Sequence, residues 1–331
     1  MAGINNGKGK KILITGATGF IGRHLCDHLL SNGFLVRALV RECSSNILKP
    51  NRNLEQRIGD FLDPIFLTKA CEDIDVIVHL AGLAHLIGPT HEQLHKMNVY
   101  ATELLLAAAD EQNVERFVFM SSSLAAVGNA QGSPATAYGR TKLAAEKLVM
   151  SQQEVGDMTC VVLRPVNVYG VGMRGNLALL ITLVVRRLAI PLPRLRTSIS
   201  LVGVEDVCDA VNLVIMSKSA CGKIYTLTDG VHYMISDIED AIYKKAGRDL
   251  PIWRIPRLLL YVACLSAEIL RRCLNIFGFR IGLLDSASMR AYNNLTKDNL
   301  FGNEEIKEDL GFKPKTTFYM SLSRIVESLD S

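Results

Sequence analysis

A chain of 331 residues, 49% apolar and 21% charged, has room for one large or two ordinary domains with buried cores. Its net charge of +4 is spread out with no basic block, which argues against nucleic acid as the main partner. Its eight cysteines (26, 43, 71, 160, 208, 221, 264 and 273) form no CxxC pair, and some, such as Cys26 and Cys160, fall in apolar periodic segments. Reduced thiols of a cytoplasmic protein are expected, rather than disulfides or a zinc site.

The leading MAGINNGKGKK is polar, and the apolar run Ile12 to Ile14 is too short for a signal-peptide core. KILIT then reads as a strand, Ile21 to Leu30 as a helix and LVRALVR as a strand. A short strand around Gln56 to Gly59 runs into GDFLD, DVIVHLAG is a strand, Met97 to Asp110 a long helix and RFVFMSSS a strand. A helix containing Tyr138 follows, then the strand TCVVLRP. This alternation predicts an α/β fold, a Rossmann-type doubly wound parallel sheet with helices on both faces. Continuous apolar runs such as VIVHL and CVVL suit strands buried on both sides.

After Arg164 the alternation loosens. Gly170, Gly172, Gly175, Pro191 and Pro193 interrupt a helical run, and LVGVEDV and IYTLTDG read as returns to the sheet. The expected organisation is a nucleotide-binding domain (1–170 and 201–230) with a smaller, discontinuous substrate lobe (171–200 and 231–331). Two later stretches are more apolar, Leu177 to Val185 and Leu258 to Ala267. Neither approaches the ~20 residues needed to span a bilayer. Both read as core helices, with weak peripheral membrane contact through the second left open.

Within the first strand–turn–helix, ITGATGFIGRHL supplies Gly16, Gly19 and Gly22. Glycines permit a tight turn and close backbone approach to a pyrophosphate, and the following helix N-terminus offers unpaired N–H groups. The spacing is GxxGxxG, and its place between the first strand and the first helix points to dinucleotide binding. An acidic residue ending the second strand would bind a ribose 2′-hydroxyl, whereas an arginine suits a 2′-phosphate. Here Arg41 favours NADP(H), and Glu42 beside it keeps NAD(H) open. Asp60, ending the next strand, is either an adenine acceptor or a plain turn residue.

TAYGRTKLAAEK places Tyr138 four residues before Lys142, hence on one helix face. A fixed cation near a phenol favours its ionised form. YxxxK alone also arises by chance on surface helices, so the surrounding motifs must decide its meaning.

Those motifs are TGATGFIG, GDFLD, HLAG, FVFMSSS, YGRTK, LRPVNVYG and LVGVEDV, in that order over roughly residues 10–230, with GFKP near the end. With them the chain resembles the extended short-chain dehydrogenase/reductases, specifically the nucleotide-sugar epimerases, dehydratases and ketoreductases. The resemblance implies that Ser123 and Tyr138 hydrogen-bond the substrate oxygen at the reacting carbon. Lys142 would hold the nicotinamide ribose and lower the tyrosine pKa, while hydride moves between the nicotinamide and that carbon. Coenzyme contacts are expected from Gly16, Thr18, Gly19, Phe20, Ile21 and Gly22 in the turn, and from Arg41, Asp60 and Phe61 at the next strand ends. Leu80, Ala81, Gly82, Tyr138, Lys142 and Pro165 would complete the set. Asn167, Asn176 and Arg196 join Ser123 and Tyr138 as substrate contacts, with helix capping an alternative role for Asn176. Related enzymes often carry a diphosphate-binding arginine just before the segment matching SLVGVED. Here that stretch reads RTSIS, so Arg196 is displaced or replaced. Asn98 is expected to be mainly structural, and His79 a core residue at a strand end.

Related dehydratases need an acid beside the serine, and Leu124, Ala125 and Ala126 follow Ser123, which disfavours dehydration. Two redox reactions at C4 of a nucleotide-diphosphate sugar remain. One is a UDP-N-acetyl-hexosamine-type 4-ketoreductase of bacterial polysaccharide biosynthesis using NADP(H), which Arg41 favours. The other is a UDP-sugar 4-epimerase with tightly bound NAD. A non-catalytic NADP-sensing regulator on the same scaffold is the alternative outside enzymes. Relatives often dimerise through the helices corresponding to those of Met97 and Tyr138, so a homodimer is expected.

Overall fold

The computed structural model describes residues 9–44, 46–83, 90–126, 128, 133–276 and 289–330. Its strands are β1 (Lys11–Thr15), β2 (Leu35–Val40), β3 (Leu54–Ile58), β4 (Val76–His79), β5 (Arg116–Met120), β6 (Thr159–Pro165), β7 (Asn167–Tyr169), β8 (Ser198–Gly203), β9 (Lys223–Leu227) and β10 (His232–Met234). Seven form a sheet in the order β3-β2-β1-β4-β5-β6-β9, with every neighbouring pair parallel. The Rossmann-type doubly wound reading of the sequence holds. Strand order reverses between β1 and β4, and the crevice beyond the carboxyl ends of such strands is where open α/β sheets bind ligands.

The helices are α1 (Phe20–Ser31), α2 (Pro64–Cys71), α3 (His91–His95), α4 (Ala101–Glu111), α5 (Ala137–Val155), α6 (Asn176–Val185), α7 (Val204–Met216), α8 (Ile235–Lys245), α9 (Arg257–Ile276), α10 (Met289–Thr296), α11 (Glu304–Leu310) and α12 (Phe318–Asp330). Strand alternation sends Ile12 and Ile14 to one face, against Leu25 and Cys26 of α1 and Val207 and Val211 of α7. Leu13, Ile77 and Phe117 go to the other face, against Leu67 of α2, Leu105 of α4 and Ala145 of α5. With apolar layers on both sides, the central strands read as continuous apolar runs.

Two expectations need correction and one a refinement. LVGVEDV does not return to the main sheet: β8 pairs parallel with β7 and antiparallel with β10 in a separate sheet, and α7 begins at Val204. The free edge of β6 is taken instead by β9, the IYTLTDG strand. The long helix expected from Met97 to Asp110 is present, opening on a wider π-type turn at Lys96–Tyr100 and continuing as α4, and α3 extends it toward its start. Finally, Leu258 to Ala267 is no core helix, because Leu258, Leu259, Val262 and Leu265 of α9 are exposed and Cys264 alone in that stretch is buried. Leu177 to Val185 does contribute to a core, through Ile181 and Val184. That core joins β7, α6, β8, β10, α8 and α12 around Tyr169, Leu201, Tyr233, Ile238 and Phe318.

Candidate active site

At the end of β1, Gly16 adopts φ +70°, and a β-carbon there would stand 2.8 Å from the Ala81 nitrogen. Its glycine lets the β1 turn cross the exit of β4. Gly19 occupies the N-cap of α1 with no side-chain cap, so the first turn keeps its N–H groups for a ligand. A β-carbon at Gly22 would fall 2.2 Å from Gly16 O and 2.7 Å from Ala17 Cα, so this glycine seats α1 directly on the turn. Thr18, Phe20 and Ile21 complete the turn and are half-buried. Backbone donors at a helix start, with no side chains in the way, fit a pyrophosphate.

Behind this turn lies a chain of buried hydrogen bonds. Thr102 Oγ1 donates to Asn98 O (2.9 Å), so its oxygen receives the Nε2–H of His79 (3.0 Å). Nδ1 of His79 then accepts from Thr15 Oγ1 (2.6 Å), which in turn accepts from the Ala81 N–H (3.2 Å). Burial, together with the nearby Lys142 charge, pushes His79 down to about 3 and keeps it neutral. Asn98, on the π-type turn, accepts from Leu83 N (2.7 Å) and donates to Leu83 O and to Thr141 Oγ1 (3.0 Å). Thr141 donates onward to Tyr138 O (2.9 Å). Neutral donors and acceptors thus brace the exits of β1 and β4 against α5, where Tyr138 and Lys142 sit.

Thr136 caps α5 by accepting from Gly139 N (2.9 Å). A β-carbon at Gly139 would lie 2.3 Å from Leu124 O, so this glycine admits the single turn Ser123–Ala125 against the start of α5. That contact sets the turn carrying Ser123 against the start of α5, which carries Tyr138. Ser123 is buried and Tyr138 is half-buried. The preceding Ser122 acts as a cap, accepting from Leu124 N (3.2 Å). One helical turn after Tyr138, Lys142 is 3% exposed; its ammonium lies 4.6 Å from the Phe119 ring centroid and donates to Met120 O (2.8 Å). Among the described residues no second hydrogen-bond acceptor meets it, which leaves two N–H donors for a ligand. Gly82 keeps that space open, since its β-carbon would come within 3.4 Å of Nζ. Burial pushes Lys142 down to about 8, with Glu146 opposing. Glu146 is itself held by a two-point pair with Arg164 (2.9 and 2.5 Å). Glu146 is one further turn along the Tyr138–Lys142 face, a spacing that was visible in the sequence, although its partner was not.

The other candidates are more scattered. Arg41 is exposed just beyond β2. Asp60 is exposed beyond β3, and its Oδ1 accepts from Leu62 N (3.0 Å) in the turn; Phe61 after it is buried. Leu80, Ala81 and Gly82 follow β4 at the crevice, and Pro165 ends β6. Asn167 is exposed at the start of β7. Asn176 is exposed and does not cap α6, because Gly175 holds that position without a side-chain bond. The segment between them is tied to the glycine turn: His24 Nε2 bonds Val171 O (2.9 Å), and a Gly172 β-carbon would stand 3.2 Å from the Arg23 guanidinium. Arg196 is exposed two residues before β8.

Sequence reading missed the clamp that explains two motifs. Asp206, in LVGVEDV, accepts from Lys315 N (2.7 Å) and Thr316 Oγ1 (2.8 Å), next to the GFKP turn. Asp229 likewise accepts from Tyr169 and Tyr233 hydroxyls (3.0 and 2.7 Å).

A doubly wound sheet, a glycine turn at its switch point, and a serine, a tyrosine and a buried lysine gathered near one edge define a dinucleotide-binding α/β protein. Residues 12–227 match the NAD dependent epimerase/dehydratase family. The chain belongs to that family and is an enzyme of it, in keeping with the resemblance to extended short-chain dehydrogenase/reductases. It is similar to a UDP-glucose 4-epimerase of Vibrio cholerae, 26% identical over 93% of this chain and 92% of the relative. It is similar in the same degree, 26% over 95% and 88%, to a 3 beta-hydroxysteroid dehydrogenase/Delta 5→4-isomerase of Mycobacterium tuberculosis. Its fold matches that of a UDP-glucuronic acid 4-epimerase from Bacillus cereus solved in complex with NAD, with TM-score 0.74 and 20% identity over 97% of this chain and 98% of the other.

Proposed function

We propose that the protein is an NAD(P)-dependent oxidoreductase acting at C4 of a nucleotide-diphosphate sugar, working as a 4-ketoreductase with NADP(H). The observation that carries this reading is the buried Lys142 ammonium, one turn from Tyr138 and anchored on Met120 O, with donors left over. Held near 8, it stays charged at neutral pH, and Glu146 does not cancel it because Arg164 engages that carboxylate. A desolvated cation at this range favours a phenolate, which is what a tyrosine needs to exchange a proton at neutral pH.

The glycine turn and the first turn of α1 would hold the coenzyme diphosphate, and Lys142 its nicotinamide ribose. A bound nicotinamide coenzyme supplies or accepts the hydride. Tyr138 delivers the proton to the ketone oxygen as the carbon is reduced, and removes it in the reverse direction. Ser123 donates a hydrogen bond to the same oxygen and fixes its position. No acid follows Ser123, so loss of a neighbouring hydroxyl has no proton donor there. Asn167, Asn176 and Arg196 lie on the segments that would face the rest of the substrate.

Similarity to a UDP-glucose 4-epimerase along nearly the whole chain supports a second reading, a 4-epimerase that keeps NAD bound. Turnover of a panel of UDP-sugars and 4-keto sugars with both coenzymes separates the two. The ketoreductase reading expects consumption of NADPH by a 4-keto sugar and a protein purified without coenzyme. NAD retained through chromatography, with interconversion of UDP-sugars, establishes the epimerase. Coenzyme binding with no turnover of any sugar overturns both. Arg41→Asp is expected to swing the preference in kcat/KM from NADPH toward NADH, and an unchanged ratio removes Arg41 from the coenzyme site.

A further inference from the structure

We propose that α9 and the segment before it form a docking surface for an anionic lipid bilayer, on which the protein lies without crossing it. The pattern of α9 is inverted. Leu258, Val262, Leu265 and Ile269 form one stripe at the spacing i, i+4, i+7, i+11, and all four face solvent, as do Leu259 and Leu270 beside them. Two described charged groups lie off the stripe, Glu268 pairing with Arg271 (2.6 Å), both less exposed than the stripe, and the exposed Arg257 donates to Tyr292 of α10 (3.2 Å). Just before the helix, Ile252 is 98% exposed and Trp253 61%. Arg254 ties this segment to Leu192 O and Glu239, next to the exposed Leu188 and Ile190. Apolar surface of this extent marks an interaction site. No described helix is long and apolar enough to cross a membrane.

Charge selects the occupant. Residues 171–200 and 251–300 hold twelve Lys or Arg against three Asp or Glu, +9, while the other 251 residues hold 25 against 30, −5. Two copies meeting through this region would bring like charges together. An anionic leaflet attracts it, at the range where a Debye layer of about 8–10 Å still leaves surface potential. An apolar face flanked by arginines, with a tryptophan at its start, is the composition of helices that lie in the headgroup region.

Trp253 is the single tryptophan of the chain, so its emission reports this surface alone. The full-length protein is mixed with phosphatidylcholine vesicles with or without about 30 mol% phosphatidylglycerol. The expected result is a blue shift of Trp253 and flotation with the anionic vesicles only. Leu258→Gln with Ile269→Gln should weaken that partition at least ~10-fold while leaving turnover unchanged, and added salt should weaken it too. Absence of shift and flotation overturns the proposal. So does vesicle binding indifferent to both salt and the substitutions, or a concentration-dependent dimer that the same substitutions dissolve, which would make a second copy the occupant.

Discussion

The sheet edge around Tyr138 and the α9 face are opposite solutions to the placement of polar and apolar groups. At the sheet edge, polar side chains go inward and are almost fully paired. His79, Thr102, Asn98, Thr141, Glu146 and Lys142 are all buried, and the first four form one continuous hydrogen-bonded path. On α9, apolar side chains go outward. Buried polar groups cost free energy unless satisfied, so the first region is rigidly specified. Of these six, Lys142 keeps donors to spare, and it is the one proposed to meet a ligand. In the second region the stripe residues are exposed among the described residues, which is the basis for proposing that an outside surface uses it.

Substitutions sharpen this contrast. Arg164→Met strands the Glu146 carboxylate, 2% exposed, without its partner; loss of one member of such a pair costs about 3–5 kcal/mol. A urea midpoint moved by less than a third of that would show that water reaches Glu146. Next in size are two pH effects. His79 is neutral in the fold to about 3, while the unfolded chain protonates near 6.5, so stability is lost as pH falls through that window. His79→Gln should flatten the dependence of the urea midpoint there. Lys142 titrates near 8 in the fold and near 10.5 unfolded, so stability of the coenzyme-free protein gains from it as pH rises between those values. Lys142→Met should remove that gain. On α9 the expected effect nearly vanishes: Leu258→Gln with Ile269→Gln should move stability by no more than about 0.5 kcal/mol, as solvent-facing substitutions do. A larger loss in thermal unfolding would mean that the stripe packs against the protein after all.

How much was legible in the sequence follows the same divide. Strand–helix alternation and the glycine turn are local patterns, so the main sheet and its switch point could be read directly. The proximity of Tyr138 and Lys142 was readable from helix spacing. Their supports were not, because Met120, Gly82 and Arg164 reach them from other strands and only folding sets those distances. Asp206 shows the limit clearly: LVGVED and GFKP were recognisable as motifs, yet their hydrogen bonds join residues 109 and 110 positions apart. β8 was misplaced because a strand's pattern does not say which sheet it joins. The orientation of α9 was misread because helical periodicity shows that one face is apolar, not which face meets the protein.

The central claim is that Tyr138 carries the proton in a redox reaction beside a buried lysine. Tyr138→Phe, measured for coenzyme affinity and for single-turnover rate on the sugar substrate found by the panel, tests it directly. The account predicts unchanged coenzyme binding with a rate loss of more than ~100-fold. Near-normal turnover in that variant would contradict it.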